Sequence, residues 1–316
     1  MKHNPAKSFL GGIDRIAVFL LVLATLALLS AGPALAAARF DQDRPLPDQR
    51  LEKPDWELRL TAGWAADAEV AGSGADVSGA GFNLRAGYKD FFISYERIQY
   101  SWSNVELLPF GNGVDDPWDD LNVLTLGYQH NGRINPKWMY FIGGGVSSSF
   151  EKEFDDSYSF RGFGGFTYIY SPKLQFTLGA GGVYHKVRSQ GLPVVGITYN
   201  RGATEGLSAG LGFPLTFVAY HFNENWALKT RVVEFDLDIF RLADDSPVHP
   251  EGFLERQDLM ADLGVEWTPM KALALYVGAR YYFRRELTLY DQDGNNEREF
   301  DVDNAWGGVL RLSWKF

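Results

Sequence analysis

Cysteine is absent from this chain of 316 residues. Without thiols it can form neither a disulfide framework nor a thiolate metal site, and the lipid attachment of a lipoprotein, which needs a cysteine, is excluded. Long apolar runs are also scarce, because no stretch after residue 29 approaches the length of about 18 residues that a membrane helix needs. Positive charge is in the minority, with 30 basic residues against 40 acidic ones, which argues against nucleic acid as a partner.

The amino terminus has the pattern of a cleaved export signal. Basic residues come first, residues 16–29 are apolar apart from one threonine, and small residues follow. This run is shorter than the roughly 20 residues that span a bilayer comfortably. We therefore predict a signal peptide over residues 1–38, cut after Ala36 or Ala38, with an uncleaved anchor helix as the alternative. Residues 39–54, with three prolines and mixed charges, predict a disordered lead-in.

The last ten residues alternate in polarity as a strand does when its two faces meet different surroundings. The polar face carries Arg311, Ser313 and Lys315. The apolar face carries Leu310, Leu312, Trp314 and the terminal Phe316. A strand that is apolar on one side and charged on the other, and that ends on an aromatic residue, suits a wall between lipid and water.

In this last strand the chain resembles Gram-negative outer-membrane β-barrel proteins, whose final strand typically ends in Phe. The resemblance implies an all-β fold, a transmembrane antiparallel up-and-down barrel over residues 55–316, located in the outer membrane of a Gram-negative bacterium. It also implies Phe316 as a signal for the barrel-assembly machinery, and outer-membrane lipid and lipopolysaccharide as surroundings.

The rest of the chain divides into short alternating segments separated by turn residues, which predict strands. We expect fourteen, at 55–65, 80–88, 91–102, 120–129, 138–149, 158–170, 173–186, 192–199, 205–213, 215–222, 226–240, 257–267, 272–289 and 298–316. Residues 188–225 could instead hold one strand plus loops, which would give twelve. Either number is even, as a barrel with both termini in the periplasm requires.

Tryptophans gather at the predicted strand ends, as expected for amphipathic rings at a membrane interface. Trp64, Trp102 and Trp118 fall at or near the ends that carry the longer, outer connections. A girdle at the periplasmic ends is predicted for Trp56, Trp138, Trp226, Trp267 and Trp314.

Charged residues fall on the face of each strand opposite to the apolar one. A charge facing lipid at the bilayer midplane costs roughly 2–4 kcal/mol, so these charges should line the lumen. A basic strip of lumen residues is expected from Arg59, Arg280, Arg284, Arg311 and Lys315. An acidic strip beside it is expected from Asp258, Asp262 and Glu266. Such strips form either a solute-selecting constriction or a salt-bridged filling of the barrel.

The histidines lack the His-x-Ser and Asp-x-His pairings of known outer-membrane lipases and proteases, so we predict no catalytic residues. The string at 291–297 departs from a calcium loop and favours a hairpin turn, so neither a metal nor a cofactor is expected. The expected function is a passive porin-like channel for small water-soluble solutes. A structural or adhesive surface barrel with a plugged lumen is the alternative, and a barrel enzyme is the second alternative.

Overall fold

The structure, a computed structural model, describes residues 55–200 and 205–316, with residues 232–237 described by their backbone alone. The predicted signal peptide and lead-in lie outside these residues. No helix in the described part of the chain is long and apolar enough to cross a membrane.

The described residues form strands almost throughout, as the alternating pattern predicts. The strands are β1 Trp56–Glu69, β2 Asp76–Tyr88, β3 Phe91–Ser103, β4 Asp120–Asn135, β5 Trp138–Phe150, β6 Tyr158–Ser171, β7 Leu174–His185, β8 Ser189–Asn200, β9 Gly206–Phe213, β10 Thr216–His221, β11 Trp226–Arg241, β12 Phe253–Met270, β13 Leu273–Tyr290, β14 Arg298–Val302 and β15 Ala305–Lys315. A single 3₁₀ turn, Val105–Leu107, accompanies them in the described part of the chain.

These strands close into a barrel. From β1 to β14 each strand pairs antiparallel with its neighbour in sequence, and β15 pairs with β1, so that Leu60 lies opposite Leu312. Both β14 and β15 pair with β13 at different heights, and together they make one interrupted wall strand. The wall therefore has fourteen strands, and the predicted fold class is confirmed. The region 188–225 holds the three strands β8, β9 and β10, so the twelve-strand alternative is wrong.

Connections are short at one end of the barrel and longer at the other. We call these the turn end, with connections such as 89–90 and 172–173, and the loop end, with connections such as 104–119 and 242–252. The first long loop is shorter than predicted, at 70–75, because β1 and β2 extend beyond their expected ends. Short turns on one side and longer loops on the other are the pattern of outer-membrane barrels.

The outside of the wall is apolar. Leu126, Leu178 and Leu263 are each more than half exposed, and many other large apolar side chains share this face. A water-soluble protein rarely exposes a continuous apolar belt of this extent, because apolar surface is stabilised by removal from water. A closed antiparallel wall that is apolar outside and charged inside is the architecture of a Gram-negative outer-membrane barrel.

Toward the loop end the wall narrows. Strand β10 pairs with β11 only as far as Val233, and the end of β11 instead meets β5, with Arg241 opposite Phe150. A single bridge between Val70 and Val302 joins β1 to β14 on the other side. Strands β6 to β10 are thus bypassed, and the loop end contains a smaller ring made by β1–β5 and β11–β14.

Candidate functional site

The candidate site is a cavity of about 280 Å³ inside the barrel. Of the described residues, two carboxylates reach its surface, Glu96 and Asp258. Eight arginines line it: Arg59, Arg85, Arg161, Arg231, Arg256, Arg280, Arg285 and Arg311. The sequence indicated a charged lumen, but it did not indicate that arginine would predominate in it to this degree.

Strand alternation and register explain why the arginines converge. Every arginine of the cavity except Arg161 lies on the consecutive wall strands β11, β12, β13, β15, β1 and β2, which form one arc of the wall. Arg59 lies directly opposite Arg85 in the register of β1 and β2. Like charges opposite each other are destabilising, so this arc needs counter-charge nearby. Part of it is Glu57, whose Oε1 lies 2.9 Å from Arg59 Nη2.

Asp262 on β12 supplies the central counter-charge. It lies opposite Arg231 in one neighbouring strand and opposite Arg280 in the other. Its carboxylate is 3.1 Å from Arg280 and 3.9 Å from Arg231, and it accepts a 2.8 Å hydrogen bond from the Tyr276 hydroxyl. The Tyr276 side chain fits beside Asp262 because residue 278 is a glycine. A Cβ at this position would lie 2.8 Å from the Tyr276 hydroxyl oxygen.

Asp258 plays a similar part nearer the loop end. Its carboxylate lies 3.3 Å from Arg256 Nε and 3.6 Å from Arg285 Nε. The Arg285 guanidinium also sits 5.4 Å from the centre of the Tyr282 ring. Its Nη1 is buried and donates no hydrogen bond to any described residue. Buried donors in proteins are nearly always paired, so an unfilled one inside a cavity requires an explanation.

The next arc, from β3 to β6, is mixed, with apolar side chains beside the polar Ser94, Glu96 and Thr125. Phe92, Ile98, Val123 and Phe163 reach the cavity from these strands. The Arg85 guanidinium lies 3.6 Å from the centre of the Phe92 ring, where the two arcs meet. Arg161 is the one arginine of the cavity on this side, and its Nη2 is 2.9 Å from the buried carboxylate of Asp238. The cavity is therefore basic on one side, the basic arc, while the other side, which we call the aromatic arc, combines aromatic and aliphatic side chains with polar ones.

The structure corrects one predicted lumen residue. Arg284 was expected to face inward because it continues the alternation of Arg280. A β-bulge at Phe283 breaks that alternation: Met260 pairs with Tyr282, whereas Leu259 pairs with Arg284. An extra residue in one strand moves every later side chain to the other face. Arg285 therefore points into the cavity, and Arg284 lies on the opposite face, 2.9 Å from Glu286.

The other predicted lumen residues lie on the inner face at different heights. Arg59, Arg280, Arg311 and Asp258 border the cavity, with Asp262 buried directly behind it. Lys315 and Glu266 lie closer to the turn end. Lys315 is 3.5 Å from Glu57, and Glu266 is 2.6 Å from Lys229. These side chains remain about a fifth to a third exposed, so water reaches the lumen from the turn end.

At the loop end an aromatic plug fills the smaller ring. Its centre is Trp118, almost fully buried, with its ring stacked on Phe110 at 6.0 Å and meeting Trp102 edge-on at 5.0 Å. Trp102 Nε1 donates a 3.0 Å hydrogen bond to the Trp118 carbonyl oxygen. The plug packs against inward-facing apolar residues of the ring, including Phe240 and Leu289. The prediction that Trp102 and Trp118 lie at the outer membrane interface is wrong. Trp102 packs against the inner cluster from β3, and the loop that carries Trp118 folds inward.

An arginine fastens the loops above the plug. Arg241, at the end of β11, is almost fully buried. Its guanidinium lies 2.6 Å from Asp244, 3.4 Å from Asp155 and 3.6 Å from Glu153. Arg241 thus joins the β5–β6 loop to the β11–β12 loop at the loop end, where β5 and β11 meet.

The tryptophans of the predicted girdle all lie at the turn end and face outward. Their exposures range from 41% to 50%, as for rings lying flat on the wall. Phe316 is largely exposed, and its backbone N–H donates a 3.0 Å hydrogen bond to Trp56, beside the closing strand pair. Their roles at the interface and in assembly stay predictions.

Two histidines have described partners. His130 Nδ1 lies 2.7 Å from the Asp90 carboxylate at the turn end, and the buried His185 ring meets Phe253 at the loop end. Neither borders the cavity. That the protein is not an enzyme stays a prediction.

Comparison with protein-family models gave no match, and no curated protein sequence matches the chain. Solved structures of other barrels do resemble it at low identity. The NanC porin is 10% identical, with 82% of this chain and 100% of that one covered at a TM-score of 0.35. The toluene transporter TodX of Pseudomonas putida is 13% identical, with 83% and 90% covered at 0.32. The outer-membrane protease OmpT of Escherichia coli is 12% identical, with 85% and 100% covered at 0.25. Scores at this level decide nothing about function, and the fold rests on the strand pairing above.

Proposed function

We propose that the protein is a passive channel for small water-soluble solutes, and that the loop-end plug closes its outer mouth in the conformation described here. The observation that carries this proposal is the charged cavity inside a membrane-spanning wall. Taking ionised side chains out of water is costly, and an apolar filling of similar volume is often as stable or more so. A barrel with a purely structural role has no need of eight arginines around an internal space.

Access to this space is unequal at the two ends. Partly exposed charges such as Lys229, about a third exposed, keep the turn end hydrated. The loop end is filled by Trp118 and the residues around it. Passage therefore requires movement of the loop 104–119, which is held by the contacts of the plug and by a 3.0 Å hydrogen bond from the Asn104 side chain to the Gly74 carbonyl oxygen.

The test is the conductance of the purified, folded protein in a planar bilayer. The wild type is expected to open rarely, and a variant with residues 105–118 replaced by a short Gly-Ser linker is expected to conduct steadily, because Phe110 and Trp118 are removed from the plug. The matched control is Trp306→Ala, which removes an exposed aromatic ring on the outer face of the same barrel. It should behave as the wild type. If the shortened variant folds but does not conduct, the proposal that the protein is a channel is wrong.

The plug itself favours a second candidate, the structural or adhesive surface barrel with a closed lumen. In that case Trp118 and Arg241 hold the outer loops in a fixed shape for contact with another surface. The wild-type measurement separates the two, since a permanently closed barrel shows no openings while the loop 104–119 is intact.

A further inference from the structure

We propose that the arginine-lined cavity binds a small organic anion, with its carboxylate groups against the basic arc and its apolar part against the aromatic arc. The inference rests on the proposed function, because it names the class of solute that the lumen would hold. It depends on the two-sided character of the cavity and not on any one arginine.

The first argument is the kind of cation present. Arginine presents a planar fork of donors that matches a carboxylate with two parallel hydrogen bonds, and it stays charged at any physiological pH. The cavity holds eight such forks, against two described carboxylates at its surface and the buried Asp238 and Asp262 behind it. A cationic solute would meet repulsion from most of the wall, whereas an anion would be attracted from several strands at once.

The second argument is that carboxylates of the barrel interior orient the arginine guanidinium groups. Asp262 holds Arg280 at 3.1 Å and Asp258 holds Arg256 at 3.3 Å, while Arg231 and Arg285 lie farther from these carboxylates, at 3.9 and 3.6 Å. Groups whose orientation is set before a ligand arrives lose less conformational freedom when they bind it. The acidic strip therefore acts as support for the basic one.

The third argument is the incomplete pairing of Arg285. Its side chain is more than nine-tenths buried and lines the cavity, yet Nη1 has no acceptor among the described residues. Its Nε meets Asp258 only at 3.6 Å, which is longer than a hydrogen bond. Buried donors are nearly always paired, so this one is available to an acceptor that enters the cavity. A carboxylate in the cavity would accept from it.

The fourth argument is the opposite wall. Ile98, Val123 and Phe163 offer aliphatic and aromatic surface on strands outside the basic arc. An inorganic ion would leave this surface in contact with water, whereas an organic anion would cover it. A volume of about 280 Å³ lies just below the range of about 300–1,000 Å³ for pockets that hold small ligands, so the solute is small.

The experiment uses benzene-1,2-dicarboxylate as the probe and benzylammonium as its cationic counterpart. Binding to the folded, detergent-solubilised protein is measured by titration calorimetry. The dicarboxylate is expected to bind saturably, and benzylammonium is expected not to bind. Arg285→Gln should weaken dicarboxylate binding by about tenfold or more, the effect of losing a charge-assisted hydrogen bond.

The matched control is Arg284→Gln. It removes an arginine from the next position in the same strand, but on the face away from the cavity. Its affinity should stay within about twofold of the wild type, as expected for a residue that does not touch the ligand. Arg285→Lys keeps the charge without the fork and should bind with intermediate affinity. Altered migration of unboiled protein on a gel verifies that each variant is folded.

Equal losses in Arg284→Gln and Arg285→Gln, or no saturable binding by the wild type, would overturn the proposal. Equal affinity for inorganic phosphate would overturn the assignment to an organic anion. Binding is measured in detergent and does not depend on transport. If the protein binds the dicarboxylate but the shortened variant does not conduct, the channel proposal is refuted and the anion site is not. If the shortened variant conducts but the protein does not bind the dicarboxylate, the anion site is refuted and the channel proposal is not.

Discussion

Asp262 is the residue whose loss should most disturb the barrel interior. Its side chain is about 1% exposed and is shared by two arginines and the Tyr276 hydroxyl. Removing one partner from a buried ion pair leaves an uncompensated charge and typically costs 3–5 kcal/mol. We expect Asp262→Asn to lose about 3 kcal/mol or more of the free energy of unfolding, because its amide keeps a hydrogen bond but not the charge.

The matched control for this prediction is Glu266→Gln, four residues further along the same face of β12. Its partner Lys229 is 2.6 Å away, but both side chains are a quarter to a third exposed. Exposed pairs contribute about 0–1 kcal/mol, so the control should change little. The assay is urea unfolding in lipid vesicles, followed by tryptophan fluorescence. Equal effects of the two substitutions would refute the view that Asp262 is the buried centre of the arginine arc.

Three further predictions concern the loop end. Trp118→Ala should destabilise the plug by about 3–5 kcal/mol, as truncation of a buried aromatic ring does, and should raise protease cleavage of the loop 104–119 without unfolding the wall. Arg241→Gln should free the loops on either side of it and increase their hydrogen exchange, while leaving exchange at the turn end unchanged. Hydrogen bonding to Lys186 lowers the pKa of Asp156 below its ordinary value of 3.8, so the contact between the β5–β6 and β7–β8 loops should persist at pH 5 and weaken only below about pH 4. Loss of that contact above pH 5, measured by loop cleavage, would contradict the assignment.

The sequence predicts the wall well because strands of a barrel carry their own signal. Leu263 and Asp262 differ in polarity because one faces lipid and the other faces the lumen, and this alternation is visible without any tertiary information. The count of fourteen strands follows from it, including the short strand β10 within the ambiguous region.

The sequence fails where a local irregularity or a tertiary contact decides. The bulge at Phe283 exchanges the faces of Arg284 and Arg285, and no turn residue marks it. Trp118 lies in a loop between acidic residues, so its pattern predicts exposure. Only the ring formed when β11 meets β5 creates an interior for it to fill. Arg256 precedes the predicted strand 257–267, although β12 begins at Phe253, so the pattern does not place it on the inner face. Arg161 is the one charged residue of the predicted strand 158–170, so no strip of charge marks it.

The central claim is that an apolar wall encloses a charged, hydrated lumen. It is tested most directly by spin labels in lipid vesicles at Leu263, on the outer face, and at Ser94, on the inner face beside the cavity. The account predicts that lipid-dissolved oxygen relaxes the label at Leu263, and that a water-soluble nickel chelate relaxes the label at Ser94. The opposite pattern, with the nickel chelate reaching Leu263 and oxygen reaching Ser94, would contradict it.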